Sequence, residues 1–453
     1  MNDMEFARRT LHYAMQRGVQ AAEVAVVRTR KTEISVVNMT PETVNAQEEI
    51  GFGVRVLKDA RMGFAASNRL DSRSVQDLLD SLVSIVGEHT PDEANTLPEW
   101  SGGKPWEDRL STFDEVILRT PLEEKVRRAL TLEQCARDFD TRIKGASTVI
   151  YGDVAEEEAL VNSRGVEGVS RSTLAYAVIE AIAGDKDSIE TGWHVGASST
   201  YDGLDIEATA ATAARRALRM VGSRPAQSAE LPLVFPPEVG SDILAYISRM
   251  LDADAVQKGK SLFRGREDSQ VASSLVSVVD DGRLEGGLAT RFADAEGVPT
   301  ARTELVRDGV LKGFLYDSYT AKKGGTVSTG NAQRGSYAAR PHTGTTNFML
   351  LPGSRATDTL LHDVSIGLHV AEMQGLHAAI NPVSGDFSIP CKGLMIRGGE
   401  LAEPVTGVAI SGNLFDLLRD VDGVGDDFTW VFSGAIVGTP TFRVRNVKVG
   451  SAG

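Results

Sequence analysis

The chain has 453 residues, of which 42% are hydrophobic, and this length exceeds one ordinary hydrophobic core, so we expect two or more globular domains. Its formal net charge of −14 at pH 7 excludes nucleic acid and anionic membrane as main partners, because binding to phosphates requires a basic face. The sequence lacks a run of about 20 apolar residues, an apolar leader after Met1 and more than two cysteines, so we expect a cytoplasmic location.

The first 225 residues alternate helical and strand patterns. Apolar residues at helical spacing predict a helix over Met4–Met15, and the apolar segment Ala22–Val27 predicts a strand. Segments Ile50–Leu57 and Met62–Ala66 flank the turn Lys58–Arg61 and predict a hairpin. This half therefore begins as a helix packed on a sheet.

Further helices follow in the same half. Asp71 precedes apolar residues at helical spacing, and its carboxylate can accept an amide hydrogen bond one turn later, so we expect it to cap a helix. Helices are also predicted over Pro121–Asp138 and over Ile206–Met220, with strands between Thr148 and Ala183. The last helix is rich in alanine, which predicts close packing. Residues 1–225 are therefore expected to form an N-terminal mixed α/β domain.

The pattern changes after residue 225. One helix is predicted over Val239–Leu251, and short strand patterns separated by glycine and proline follow it. The strict alternation of Arg443–Val449 predicts a terminal strand. Residues 226–453 are therefore expected to form a β-rich C-terminal domain with an antiparallel sheet or a barrel-like arrangement, which makes the fold class α+β.

Four segments of the C-terminal half match, in order, those of a known family. The glycine-rich segment Thr326–Gly335, together with Val279–Gly282, Phe292–Thr300 and Pro404–Asn413, resembles the TldD/PmbA family of peptidase subunits. In that family the catalytic member carries His-Glu-x-x-x-His on a helix. This sequence has no such motif.

The positions of the missing motif can be assigned from its flanks. Leu231–Gly240 resembles the strand and turn that lead into the motif helix, which places the three functional positions at Ala245, Tyr246 and Met250. Zinc hydrolysis needs imidazole or thiolate ligands and a carboxylate base, which these residues do not supply. A further cysteine ligand of the family would fall at Phe432–Gly434, where this chain has none. The chain thus resembles the PmbA (TldE) type, so we expect no catalytic residue and no metal or cofactor in it, with zinc in a catalytic partner.

The loop Ser328–Arg334 carries groups suited to a peptide. Gly330 permits backbone conformations that a side chain forbids, Asn331 can donate and accept, and Arg334 can bind a carboxylate through two N–H groups. Ser328, Gly330, Asn331 and Arg334 are therefore candidates for a peptide-facing loop. A purely structural turn explains the same residues equally well.

Other patterns favour structural interpretations. His362, His369 and His377, with Glu372 between them, match the ligand spacing of neither a helix nor a strand, so packing or surface histidines are favoured over a metal site. Cys391 has no evident base nearby, which favours a structural thiol. A phosphate-binding loop is excluded at Gln257–Ser261, since Asp254 stands where its first glycine is required. Four carboxylates are expected to accept local backbone hydrogen bonds rather than to hold a cation: Asp280, Asp281, Asp294 and Glu296.

The resemblance implies a non-catalytic partner subunit of a heteromeric TldD/TldE-type zinc metallopeptidase, which shapes the substrate channel for flexible or modified-precursor peptides. The expected partners are a TldD-like metal-bearing subunit, a peptide substrate and, in isolation, a second copy in a dimer. A peptide could add as a strand to an exposed sheet edge of the β-rich half. Two alternatives are a stand-alone peptide-binding or scaffold homodimer and a homomeric hydrolase with an unrecognised site, for which the histidine group is the candidate.

Overall fold

The computed structural model describes residues 2–100, 105–110, 112–185, 188–432 and 435–451, without the His377 side chain. Helices pack on large, mainly antiparallel sheets, which confirms the predicted α+β class. No helix within these residues is long and apolar enough to cross a membrane.

The N-terminal half is one seven-stranded sheet with helices against it. Its elements are α1 (Asp3–Gln16), β1 (Ala21–Val37), β2 (Thr40–Lys58), β3 (Arg61–Ser67), α2 (Ser72–Val86), β4 (Trp106–Glu107), α3 (Glu115–Arg119), α4 (Leu122–Phe139), β5 (Ile143–Asn162), β6 (Glu167–Gly184), β7 (Ile189–Ser198) and α5 (Ile206–Met220). The strand order is β3-β2-β1-β5-β6-β4, and β7 pairs with the same edge of β6 as β4, farther along the strand. The predicted hairpin is confirmed, with Lys58 paired to Arg61 across a two-residue turn.

Local signals place the first helices as expected. The side chain of Asp71 accepts hydrogen bonds from the amides of Arg73 and Ser74 at 3.1 and 2.9 Å, which confirms the predicted cap of α2. Apolar residues at helical spacing along α2 are buried against the sheet. This face of the sheet is therefore covered by helices, and its other face is left for the second half of the chain.

Helix α5 packs closely on β7, as its alanine content predicts. Ala210, Ala213, Ala214 and Ala217 are fully buried, because alanine lets the helix backbone approach the sheet. A Cβ built on Gly192 of β7 would clash with the backbone of Ala213 and Ala217. Both partners in this contact therefore have to be small.

The C-terminal half contains two larger sheets and a two-stranded ribbon. Its elements are β8 (Arg224–Pro225), β9 (Ala229–Phe235), α6 (Pro237–Met250), α7 (Ala253–Gln257), β10 (Val278–Asp281), β11 (Arg302–Arg307), β12 (Val310–Leu311), α8 (Ser318–Gly324), β13 (Ala332–Gln333), β14 (His342–Thr343), β15 (Phe348–Leu350), α9 (Thr357–His362), β16 (Ile366–Met373), α10 (Leu376–Ala379), β17 (Asp386–Arg397), β18 (Glu400–Asn413), α11 (Leu414–Arg419), β19 (Val421–Val424), β20 (Thr429–Phe432), β21 (Ile436–Thr439) and β22 (Phe442–Ser451). One sheet has the order β12-β11-β10-β15-β21-β20, and β13 pairs only with β14.

The larger sheet of this half closes on itself. Strands β22, β9, β16, β17 and β18 pair in that order, and β18 pairs back to β22 through Val408–Ser411, which makes a five-stranded barrel. This confirms the barrel-like prediction. The expectation of one helix was incomplete, because five short helices of four to seven residues also occur among the described residues after α6. Segments this short cannot show a helical period in the sequence.

The packing of α5 on β7 gives a stability prediction. Gly192→Ala should lower the free energy of unfolding by about 1–3 kcal/mol, because the new methyl group meets rigid backbone rather than a movable side chain. Chemical denaturation followed by circular dichroism measures the loss. Gly87→Ala is the matched control, since Gly87 has φ −65° and no atom within 4 Å of the added Cβ, so it should change stability by less than about 0.5 kcal/mol. Equal stability of the two variants would contradict the packing argument.

Candidate functional site

The three positions of the missing metal motif lie on α6, and the residues there pack against the C-terminal core. Met250 is fully buried, and Ala245 and Tyr246 pack half-buried against the same C-terminal core. The hydroxyl of Tyr246 donates a hydrogen bond to the carbonyl oxygen of Ile380 at 2.8 Å. Burial raises the pKa of Tyr246, so the phenolate that could act as a base is even scarcer near neutral pH.

These residues do not fit a zinc ion. A methyl group offers no ligand atom, the tyrosine hydroxyl is bound to a carbonyl, and the Met250 thioether lies inside the core. At the further ligand position, the Phe432 ring stacks on Tyr176 with centroids 6.1 Å apart, while Ser433 and Gly434 lie outside the described residues. Among the described residues, no group of three His, Cys, Asp or Glu side chains has a metal-binding arrangement.

Among the described side chains, those of His362 and His369 form no metal-binding group. His362 is exposed at the end of α9, while His369 lies on β16 with its ring largely enclosed, and burial lowers its pKa to about 4. Glu372, which lies between His369 and His377 in sequence, pairs with Lys392 at 2.9 Å. The side chain of His377 lies outside the described part of the chain.

Cys391 is placed as a structural thiol would be. It is buried in the C-terminal core, and burial raises its pKa to about 12, so the reactive thiolate is scarce at neutral pH. Both cysteines of the chain are free rather than bridged.

The four acidic residues divide into two kinds. Asp294 accepts hydrogen bonds from the nearby amides of Glu296 and Val298, both at 2.9 Å, and Asp281 accepts from the amide of Arg283, as expected for turn residues. Asp280 and Glu296 differ from the expectation, because their partners are distant in sequence. Local turn chemistry therefore explains only half of this group.

The glycine-rich loop is bound to the protein itself. Asn331 is buried and donates to the Asp280 carboxylate at 2.7 Å, and that carboxylate also accepts from the amide and hydroxyl of Thr346. The hydroxyl of Ser328 donates to the carbonyl of Tyr316 at 3.1 Å. Gly330 has φ +74° and passes so close to the backbone of Pro299 that a side chain would clash. These contacts favour the structural interpretation of the loop over the peptide-facing one.

Arg334 joins the loop to the N-terminal sheet. Its side chain is 3% exposed, donates hydrogen bonds to Glu23 and to the carbonyl of Ala295, both at 3.0 Å, and forms an ion pair with Glu158 at 3.2 Å. Its guanidinium is therefore committed within the chain and is not free to bind a peptide carboxylate. Glu158 resists ionisation, because burial outweighs the attraction of Arg334 and raises its pKa.

Arg55 completes this buried ionic network. Its guanidinium binds both carboxylate oxygens of Glu23, at 2.9 and 2.6 Å, and one oxygen of Glu296 at 2.7 Å. The second oxygen of Glu296 accepts the amide of Ser318 at 2.9 Å, where α8 begins. Burial disfavours the charge on Glu296, but Arg55 and the Ser318 amide outweigh it and lower the pKa of Glu296. The network thus binds the two halves together.

Sequence reasoning missed this network, although a signal for it exists. Glu23 and Arg55 each interrupt an apolar strand segment, and they face each other directly across β1 and β2. A charged residue at an inward position of an apolar strand requires a buried partner of opposite charge. Two such residues on neighbouring strands predict an ion pair.

A cleft of about 870 Å³ lies above the network, between the two halves. Arg55 and Glu296 line it, together with the segment 89–97, α7, α8 and residues 340–343. The hydroxyl of Tyr319 on α8 donates to Asp92 at 2.8 Å and joins its two walls. The residues of the glycine-rich loop do not line it.

Carboxylates exceed cations along this cleft. Burial and the nearby charges of Asp254 and Asp317 raise the pKa of Asp252 to about 6, and burial with the charge of Glu296 raises that of Asp317. Lys258 and Arg340 supply positive charge on the same lining. The surface can therefore bind backbone groups and charged ends of a polypeptide, and its own charge depends on pH.

Comparison with known families matches nearly the whole chain in three parts. The models are described as PmbA/TldA metallopeptidase domain 1, central domain and C-terminal domain, and they match residues 22–86, 116–221 and 228–451. The first two fall on the N-terminal sheet and its helices, and the third covers the barrel and the cleft-lining part of the second half.

Similar proteins cover most of the chain. A protein named Metalloprotease from Methanothermobacter thermautotrophicus is 28% identical over 95% of this chain and 96% of its own length. Metalloprotease PmbA of Escherichia coli is 26% identical over 90% of this chain and 87% of its own length. The crystal structure of TldE from Thermococcus kodakarensis superposes with a TM-score of 0.89 at 23% identity, over 98% of this chain and all of that one, which shows the same fold.

The ionic network yields a second prediction. Arg55→Met should lower the free energy of unfolding by about 3–5 kcal/mol, because Glu23 and Glu296 would stay buried with one partner fewer. Urea denaturation measures the loss. The control is Arg73→Met in an exposed pair with Asp77, which should change stability by no more than about 0.5 kcal/mol. A loss below about 1 kcal/mol for Arg55→Met would show that the network does not hold the halves together.

The raised pKa of Asp252 gives a third prediction. Since the folded chain holds this proton more tightly than the unfolded chain, the proton stabilises the fold below about pH 4, and that stability is lost as pH rises through about 6. Asp252→Asn keeps a cap for α7 and removes the charge. Its free energy of unfolding should therefore exceed that of the wild type by about 1–2 kcal/mol at pH 7.5 and equal it near pH 4. Urea unfolding at both pH values tests this, with exposed Asp77→Asn as control. A stability difference that does not change with pH would refute it.

Proposed function

Because this chain belongs to the PmbA/TldD metallopeptidase family, we propose that it is the subunit of a heteromeric peptidase that holds no catalytic zinc. One observation supports the proposal: α6 lies where the motif helix is expected, yet Ala245, Tyr246 and Met250 make packing contacts and one hydrogen bond to a carbonyl there. A TldD-like subunit supplies the zinc, and the complex cleaves flexible or modified-precursor peptides in the cytoplasm.

In this proposal the interdomain cleft forms part of the peptide enclosure. Its volume is in the range of ligand-binding sites, and its walls combine carboxylates with Lys258 and Arg340. Such a lining suits a polypeptide, which presents backbone donors and acceptors as well as charged ends. Peptide contact is therefore assigned to the cleft rather than to the glycine-rich loop.

A free strand edge offers a place where a partner subunit can add a strand. In the β-rich half, where a peptide was expected to add to a sheet edge, the larger sheet closes into a barrel and the six-stranded sheet ends in the short strands β12 and β20. In the N-terminal sheet, by contrast, Thr40–Gly51 of β2 pairs with β1 and with no other described strand. A two-fold antiparallel pairing centred on Asn45 would set Glu42 opposite Glu48, and such like-charge pairs are destabilising. A strand of a different subunit avoids that repulsion.

The proposal is tested by reconstitution. Purified alone, the chain should contain no stoichiometric zinc by elemental analysis and should have no chelator-sensitive peptidase activity. Added to a TldD-like subunit, it should form a stable complex and raise the cleavage of an unstructured peptide.

Matched variants distinguish a contribution of the cleft to activity from a contribution of the motif helix. Arg340→Glu reverses one exposed charge on the cleft and should lower kcat/KM of the complex about tenfold, while Arg73→Glu reverses an exposed charge elsewhere and should leave it unchanged. Tyr246→Phe removes only the hydroxyl and should keep full activity. If Tyr246→Phe abolishes turnover in an assembled complex, or if the isolated chain binds one zinc, the proposal is wrong.

A further inference from the structure

One end of the C-terminal barrel holds a second cavity, of about 550 Å³, which the proposed peptidase role does not use. The starts of β9, β16 and β18 and the ends of β17 and β22 surround it. The connection between the two halves crosses one side, where Arg224 and Pro225 of β8 pair with Val405 and Thr406 of β18. This cavity is thus a barrel mouth bordered by the interdomain connection.

The floor of the barrel mouth is apolar. It is formed by five buried side chains: Leu368, Met395, Val405, Val408 and Val449. On the rim, Ile366 is 51% exposed, although it belongs to a strand of the barrel. An apolar lining of this volume with an uncovered apolar rim is typical of a site for a small apolar molecule.

The polar side chains of the lining are exposed and lie at the rim: Arg224, Gln227, Arg397 and Glu403. Arg397 is bound by Glu403 through contacts of 2.9 and 3.0 Å, so both charges are satisfied. Arg224 lines the same cavity and makes no ion pair with any residue in the described part of the chain. The mouth therefore combines an apolar interior with one uncommitted positive charge at its entrance.

The apolar interior and the positive charge at the rim indicate which class of ligand the cavity can bind. A peptide in the interior would bring an amide for every residue, and each amide without a partner would cost free energy. An aliphatic chain needs no partners inside, and a carboxylate at its end would meet Arg224 at the rim. The lining thus favours an aliphatic carboxylate over a peptide.

We propose that the barrel mouth binds a medium-chain aliphatic carboxylate, with its chain on the apolar floor and its carboxylate at Arg224. Since Arg224 belongs to the connection between the two halves, the bound molecule also fastens that connection to the barrel. This site is independent of the peptidase role, because it shares no residue with the interdomain cleft or with the motif positions of α6.

The test uses the full chain and octanoate in isothermal titration calorimetry. Ile366→Glu places a negative charge at the rim and should weaken octanoate binding more than tenfold, while Arg224→Gln should weaken it about three- to tenfold. Val383→Glu adds the same charge at an exposed position outside the cavity and should bind like the wild type. Octanoate should also raise the Tm of the wild type but not that of Ile366→Glu.

Two other ligands test the role of the carboxylate and the preference for an aliphatic chain over a peptide. Octan-1-ol should bind more weakly than octanoate and should not respond to Arg224→Gln, because it carries no charge. A short peptide that ends in leucine should bind more weakly than octanoate. The proposal is overturned if octanoate does not bind, if Ile366→Glu and Val383→Glu bind it equally, or if either other ligand binds as tightly as octanoate.

Discussion

The arrangement of the two halves depends on a small group of charges that lie out of water. Buried charges persist only when partners and hydrogen bonds replace the lost solvent, and Arg55 needs carboxylates from both halves to meet that condition. Glu296 in turn accepts the amide of Ser318, which fixes where α8 begins. Tyr319 of that helix then reaches Asp92 across the cleft. The position of each cleft wall therefore follows from one electrostatic requirement.

Helix α6, where the resemblance places the metal motif, is held in the fold by contacts that need no metal. Helix α6 has a use that does not depend on any ligand, because its apolar face joins the core of the barrel domain. Met250 fills that core, and Tyr246 links the helix to the backbone of Ile380. The helix therefore contributes to the stability of the family fold without any metal ligand.

Sequence patterns anticipated those features whose causes are local. Asp71 lies next to the amides that it caps, and the alanine content of α5 predicts the close packing of this helix on the sheet. The short helices are too short to show a helical period, and the barrel-like arrangement was predicted without its strand order, because strand pairing depends on distant partners. The glycine-rich loop was ambiguous for the same reason. Asn331 meets Asp280 across 51 positions and Arg334 meets Glu23 across 311, and the sequence around each residue contains no trace of its partner.

Those separations also set an order of events during synthesis. Glu296 follows Arg55 by 241 positions, so at about 5–20 residues per second the ribosome makes it roughly 10–50 s later. The N-terminal sheet emerges first, with Glu23 and Arg55 paired to each other but still lacking the carboxylate and guanidinium that complete their surroundings. Until those arrive, the face of the sheet that carries them must stay hydrated. This face of the N-terminal sheet therefore becomes buried only when the later part of the chain, which carries Glu296 and Arg334, packs on it.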